Sequence, residues 1–152
     1  MCSHPQNRLS YTPFLIMGTR SRIGIELKDG SILSVYHHWD GYPSWLGRIL
    51  ETHYNTREKV IELIDGGDMS SCWSDSIWGK QLPKGQYAPE YYSQRGEDCP
   101  PRLDKTLVEY VDNNEEYAYI FNRDGVWIAI DCHEFDDKDP ETVSIPSGEL
   151  VC

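Results

Sequence analysis

The sequence predicts a single α+β domain: an antiparallel sheet built from two β-hairpins, with two or more helices packed on one face of it. Three observations carry that expectation. Alternating apolar residues run up to Asp29-Gly30, a second alternating pair brackets Arg123-Asp124-Gly125, and segments with helical apolar spacing lie between the two. At 152 residues one domain is the natural count, and a chain of that length buries about 68–70% of its unfolded surface.

The elements follow in order. Residues 1–16 show no periodicity and are read as an N-terminal extension, ahead of a core over 17–132 and an acidic C-terminal tail over 133–152. Ile23, Ile25 and Leu27 alternate with Gly24, Glu26 and Lys28, which describes a strand with one buried face. Asp29-Gly30 is a strong short hairpin signal, and residues 32–36 return as the partner strand. Ser44 is a candidate cap for a helix carrying Trp45, Leu46, Ile49, Leu50 and Tyr54. Asn55 with Glu58 has the pattern of a capping box for a second helix, whose apolar face is Val60, Leu63 and Ile64. Asp65-Gly66-Gly67 stops it, because glycine accepts the left-handed conformation at a helix end.

Residues 68–102 are rich in Ser, Gly, Pro and aromatics and have no clean period. Structureless loops of that length are uncommon in a compact domain, so the segment is expected to be partly ordered, with Trp73, Trp78, Tyr87, Tyr91 and Tyr92 as anchors. A short helix through 89–92, ending near Arg95-Gly96, fits the local residues, and 103–111 suits either helix or strand. Residues 116–121 and 126–130 form the second hairpin.

Charge narrows the partners. The net charge is −11. Residues 1–60 hold seven basic and five acidic side chains, whereas 61–152 hold seven basic and twenty acidic ones, so the excess sits in the later part. Such a chain repels phosphate backbones, which disfavours direct nucleic-acid binding. The acidic peak at 131–141, with six carboxylates against Lys138, reads first as a solvated tail and second as a surface for a basic partner. No apolar run reaches membrane-span length, and the first residues lack a signal-peptide pattern, so no membrane association is expected. Five scattered cysteines suit a reducing compartment better than a disulfide framework.

The densest cluster of chemically capable side chains is Tyr36-His-His-Trp-Asp-Gly-Tyr-Pro43. Its Asp-Gly and Tyr-Pro steps place it where a strand ends and the chain bends, and such loops carry much of protein function. A pocket with two walls is the leading reading. His38, Trp39, Asp40 and Tyr42 form one wall, and Tyr92, Arg95 and Glu97 form the other. Trp39 or Tyr42 would stack on a flat ligand, Arg95 would pair with a phosphate, and Asp40 would accept from a base edge or sugar. Each residue also has a plainer role: the aromatics as core or lid, Asp40 as a turn former, and Arg95 as the partner of Glu97 or Asp98. A metal site from His37, His38, Asp40 and Cys132 or His133 is disfavoured, because adjacent strand residues face opposite ways. Catalysis with His38 as base lacks a nucleophile elbow or phosphate loop, and no cofactor is implied.

Five blocks in order, Met17-Gly-Thr-Arg-Ser, His38-Trp-Asp-Gly-Tyr-Pro43, Gly67-Asp-Met-Ser-Ser71, Tyr92 with Arg95-Gly-Glu-Asp98, and Glu116-Tyr-Ala-Tyr119, resemble a widespread family of small bacteriophage proteins. The resemblance covers roughly 17–132 and supplies no catalytic mechanism. It implies expression in the host cytoplasm of an infected bacterium and a start at the position of Met17. By analogy it suggests a counter-defence or host-takeover binding protein that sequesters a nucleotide-type small molecule. The alternatives are an acidic inhibitor of a host defence or nucleic-acid-binding protein, and a small enzyme acting on a nucleotide. Exposed aromatics on a small domain make a homo-oligomer reasonable.

Overall fold

The computed structural model describes residues 18–112, 115–132 and 141–146. The expected extension at 1–16 and most of the expected tail lie outside these residues. The fold is α+β, and its sheet is larger than two hairpins. The first hairpin joins β1 (Ser21–Glu26) to β2 (Ile32–His37), in register from Ser21 opposite His37 to Glu26 opposite Ile32. Gly30 closes its turn at φ 89°, and Asp29 accepts from the Ser31 backbone N–H at 3.0 Å. The second joins β8 (Tyr117–Phe121) to β9 (Trp127–Asp131), and Asn122 Oδ1 accepts the backbone N–H groups of Asp124 and Val126 at its turn.

The hairpins meet in parallel. β1 pairs β8 from Ser21 opposite Tyr117 to Ile25 opposite Phe121, which makes the sheet mixed rather than purely antiparallel. Hairpin signals report local pairing only, so this seam between distant segments was invisible to them. β3 (Met69–Ser74) adds beside the end of β2, and β6 (Ala88–Tyr91) pairs β3 antiparallel. The small strand β7 (Arg102–Asp104) pairs the start of β2, and β10 (Glu141–Val143) pairs β9. The last of these falls inside the segment read as an acidic tail, where Val143 and Ile145 pack on the core. Strands β4 (Ser76–Ile77) and β5 (Lys80–Gln81) form a separate two-stranded ribbon.

The helices start slightly differently from the sequence expectation. Ser44 is not a cap: a π-helical turn runs over Pro43–Gly47 with Tyr42 before it, and α1 (Arg48–His53) continues from there. Proline at the first position needs no N–H partner, which lets the turn begin directly after Tyr42. α2 (Arg57–Asp65) is capped by Thr56, whose side chain accepts from the Lys59 N–H, rather than by Asn55. At its end Gly66 stays right-handed and Gly67 takes the left-handed step at φ 89°. Pro89, Glu90 and Tyr91 are not helical but belong to β6; the helical turn begins at Tyr92, runs as a 3-10 turn to Arg95 and ends, as expected, at left-handed Gly96. Residues 103–111 divide between β7 and α3 (Leu107–Val111), the latter capped by Thr106.

Both faces of the sheet are covered, where one was expected. On one face Ile49, Leu50, Val60, Leu63 and Ile64 of α1 and α2 pack on Ile23, Ile25, Val35, Tyr119 and Phe121. Each fully buried aliphatic side chain of this kind contributes about 1.5–3 kcal/mol. On the other, Tyr110 and Val111 of α3 pack on Ile32, Ala118, Ile120 and Ile130. The even positions of β1 therefore are not solvated: Gly24 lies under Tyr110, and a Cβ there would meet the Tyr110 hydroxyl at 2.9 Å. Arg22 is also buried, with its Nε donating to Ser34 Oγ at 2.9 Å.

Candidate functional site

Antiparallel and parallel pairing together bring distant sequence blocks to one end of the sheet. The start of β1, the end of β2, the start of β3, the end of β6 and the start of β8 all lie there. The backbone knits them. Gly41 N–H donates to Thr19 O at 2.7 Å, His38 N–H to Met69 O at 3.2 Å, Trp39 N–H to Ser70 O at 3.0 Å and Glu116 N–H to Arg20 O at 2.9 Å. The Tyr119 hydroxyl donates to Gly41 O at 2.6 Å, and Tyr92 N–H donates to Asp68 O at 3.2 Å. Described residues from all five sequence blocks thus lie at one end of the sheet.

Strand alternation sorts the two histidines. His37 is fully buried on the face covered by α1 and α2, where its Nε2 accepts the Cys72 N–H at 3.1 Å. Burial, and then the neighbouring His38, hold its pKa down to about 3, so it stays neutral. His38 lies on the opposite face, half-buried, with its Nδ1 in a 2.7 Å hydrogen bond with the Tyr36 hydroxyl. Burial and then Arg20 lower its pKa too. Among the described residues no group of three His, Cys, Asp or Glu is placed to hold a metal ion.

The remaining residues of the first wall are exposed on a strained turn. Trp39 is 43% exposed, sets its ring edge-on to His38 and covers Gly18. Asp40 has φ 54°, a left-handed conformation that Asp tolerates at some cost. Its carboxylate forms no hydrogen bond or ion pair among the described residues. Tyr42 is 37% exposed and uses its carbonyl to accept the N–H groups of Trp45 and Leu46.

The second wall is built differently. Arg95 lies over Trp78 at 4.2 Å and over Tyr92 at 5.0 Å, and its Nε is paired with Glu97. The local carboxylate therefore already occupies the guanidinium. Tyr92 is a buried ring rather than a surface one, and burial pushes its pKa up to about 12. Trp78, with φ 47°, donates Nε1–H to Tyr91 O at 2.8 Å, and its backbone N–H donates to Glu90 Oε2.

The walls do meet, through Tyr36, which the sequence placed at the head of the cluster but in neither wall. Tyr36 packs with Tyr92 and Cys99 in one buried cluster against which Trp78 leans, while its ring lies 5.9 Å from that of His38. The chain of contacts is His38, Tyr36, Tyr92, then Trp78 and Arg95; Asp40 and Tyr42 stand outside it. Beneath lies a buried polar group, also missed from sequence. Burial, and then repulsion from Arg102, lower the pKa of Arg22, while burial raises those of Asp68 and Glu115 against the pull of both arginines. Asp68 Oδ1 accepts the Tyr36 N–H at 2.8 Å, which fixes the connecting residue. Alternation puts Arg22 on the face opposite Ile23, the face expected to be solvated, so no local signal marked its burial.

Cys72 and Cys132 are free and buried, and burial pushes the Cys132 thiol up to about 12, so neither is an activated nucleophile. Cys99 is disulfide-bonded, contrary to the expectation of reduced cysteines throughout. Wide spacing along a sequence does not report distance in space. No helix among the described residues is long and apolar enough to cross a membrane. Comparison with protein-family models, curated proteins and solved structures found no match.

Proposed function

We propose that this protein acts by binding, and that its recognition surface is the aromatic end of the sheet formed by His38, Trp39, Asp40 and Tyr42 with Arg95 alongside. The observation that carries this reading is the exposed pair Trp39 and Tyr42, flanking a strained Asp40 whose carboxylate is uncommitted among the described residues. Large rings held out to solvent on a backbone fixed by neighbouring strands lose little entropy on stacking against a ligand. Backbone strain of this kind accumulates at functional sites.

The ligand class that suits these groups is a nucleotide-type small molecule. Trp39 supplies a stacking face, Asp40 accepts from a base edge or sugar, and the neutral His38 ring donates or accepts. Arg95 reaches a phosphate only by exchanging Glu97 for it, so the phosphate contact is the weaker part of the reading. Together with the resemblance to phage proteins, this supports sequestration of a nucleotide-type signal in an infected host cytoplasm. The competing acidic-inhibitor reading relies on charges at 131–141, most of which lie outside the described residues.

Calorimetry and thermal shift across cyclic and linear nucleotides test the proposal. A nucleotide is expected to bind and raise the melting temperature, and Trp39→Ala is expected to abolish binding without unfolding the chain. Adding Arg95→Ala is expected to remove any residual binding while also lowering stability, because Arg95 stacks on Trp78. Absence of binding across the panel sinks the nucleotide reading. Recovery of a host protein in a pull-down, lost when Asp136, Asp137 and Asp139 are neutralised and weakened by salt, would establish the protein-partner alternative.

A further inference from the structure

A second feature lies away from the recognition surface. Between the end of α1, the outer side of α2 and β6 is a cavity of about 610 Å³, within the size range of ligand sites. Its walls include His53, Tyr54, Lys59, Glu62, Pro89 and Tyr91. The rings are fixed from behind: the Tyr54 hydroxyl donates to Cys72 O at 2.8 Å and the Tyr91 hydroxyl to Leu63 O at 2.7 Å. Those hydroxyls are spent, so the two tyrosines present ring surface.

His53 is braced in another way. Its ring stacks on Trp73 at 3.7 Å and 15°, and Trp73 stacks on Tyr87 at 5.1 Å and 5°. Three flat groups thus stand in one column, with His53 at the end that borders the cavity. Burial and then Lys59 lower the His53 pKa, so the terminal ring is a neutral imidazole with one donor and one acceptor. Among the described residues no side-chain hydrogen bond or ion pair engages His53, Lys59, Glu62 or Asp65. Uncommitted polar groups therefore converge on a cavity with ring walls. One ammonium against two carboxylates, with a neutral imidazole, gives an acidic site that disfavours phosphate.

We propose that this cavity is a binding site for a planar, unphosphorylated nitrogen heterocycle, a free base or nucleoside, which extends the Tyr87, Trp73 and His53 column by one ring and hydrogen-bonds to Glu62 and Lys59. The site is separate from the Trp39 turn and does not depend on the function proposed for it.

The test titrates the full chain with adenosine, cytidine and their 5′-monophosphates, followed by calorimetry and by tryptophan fluorescence, since Trp73 lies directly behind His53. Saturable binding of at least one nucleoside is expected, and in the Trp39→Ala chain, which lacks the stacking ring of the turn, its monophosphate binds about tenfold weaker or more because of the acidic rim. His53→Ala is expected to weaken nucleoside binding about tenfold or more by removing the stacking face, while Trp39→Ala leaves it unchanged. If His53→Ala loses its circular dichroism signature, Glu62→Gln decides, since Glu62 is exposed on α2; a loss of about fivefold or more is expected from weakening one charged hydrogen bond. No saturation by either nucleoside, tighter binding of the monophosphates than of the nucleosides by the Trp39→Ala chain, or full affinity in the folded His53 or Glu62 variant would overturn the proposal. Loss of nucleoside binding in Trp39→Ala alone would overturn it as well, assigning the binding to the turn.

Discussion

The 36–43 turn and the 73–98 segment both display aromatic rings, but the turn rests mainly on backbone bonds, whereas the later segment adds many side-chain bonds to its backbone pairing. Backbone groups fix the turn: Thr19, Met69 and Ser70 carbonyls accept from Gly41, His38 and Trp39. Side chains fix the later segment: Glu90 and Gln94 accept backbone N–H groups, Trp78 and Tyr91 donate from their ring groups, and Arg95 stacks on Trp78. The difference teaches where function and stability separate. The side chains of Trp39, Asp40 and Tyr42 are free to be spent on a ligand, because the fold does not rest on them, unlike the buried Tyr36 and His37. In 73–98 the same side chains are the scaffold, so exchanging one there alters structure and binding together.

The most severe way to break this contrast is to strike the backbone seat of the turn. A Cβ at Gly41 would lie 2.5 Å from Ser21 Oγ and 2.6 Å from Thr19 O, and the latter is strand-border backbone with little room to yield. Gly41→Ala is therefore expected to cost about 2–3 kcal/mol in urea unfolding. A cost under about 0.5 kcal/mol would show that the close approach is not what holds the turn.

A smaller effect comes from acid. The folded pKa of His37 is about 3, against an unfolded value of about 6.5. Because the folded value is depressed, the unfolded chain binds the extra proton first. Stability from this group is complete above pH 6.5 and falls as the pH drops toward 3. At pH 5 the loss relative to pH 7.5 is about 2 kcal/mol, and it is expected to vanish in His37→Gln. Equal pH slopes for the two proteins, measured by denaturation at each pH, would refute a neutral buried imidazole joining β2 to β3.

Smallest is the cost of one side-chain anchor in the other region. Tyr91→Phe removes the 2.7 Å bond to Leu63 O and is expected to lose about 1 kcal/mol of stability. A neutral result would mean that side-chain bonding does not secure β6, and the contrast between the two regions would weaken.

Legibility from sequence followed the range of the interactions. Asp29-Gly30 and Arg123-Asp124-Gly125 are self-contained turns, so both hairpins could be read residue by residue. The α2 start slipped by one, from Asn55 to Thr56, because both residues are competent caps and only backbone geometry chooses between them. Of the candidate site, the exposure of Trp39, Asp40 and Tyr42 and the opposed faces of His37 and His38 follow from alternation and turn chemistry. That Arg95 pairs with Glu97 was legible as its plainer role, two residues along the chain. The Tyr36–Tyr92 junction was not legible, since it depends on β2, β3 and β6 lying side by side. The His53 column was hidden for the same reason: its members come from α1, β3 and the approach to β6.

The parallel seam between β1 and β8 has a consequence for how the chain reaches this structure. Each hairpin closes over a few residues and can form early and alone, whereas the seam joins groups such as Arg20 and Glu116 that are 96 positions apart. Closing so long a loop costs entropy before any contact returns it, and nonlocal pairing is the slow step in folding. The seam is therefore expected to set after both hairpins. Until it does, β1 presents an open edge, and the end of the sheet that gathers residues of all five blocks does not yet exist.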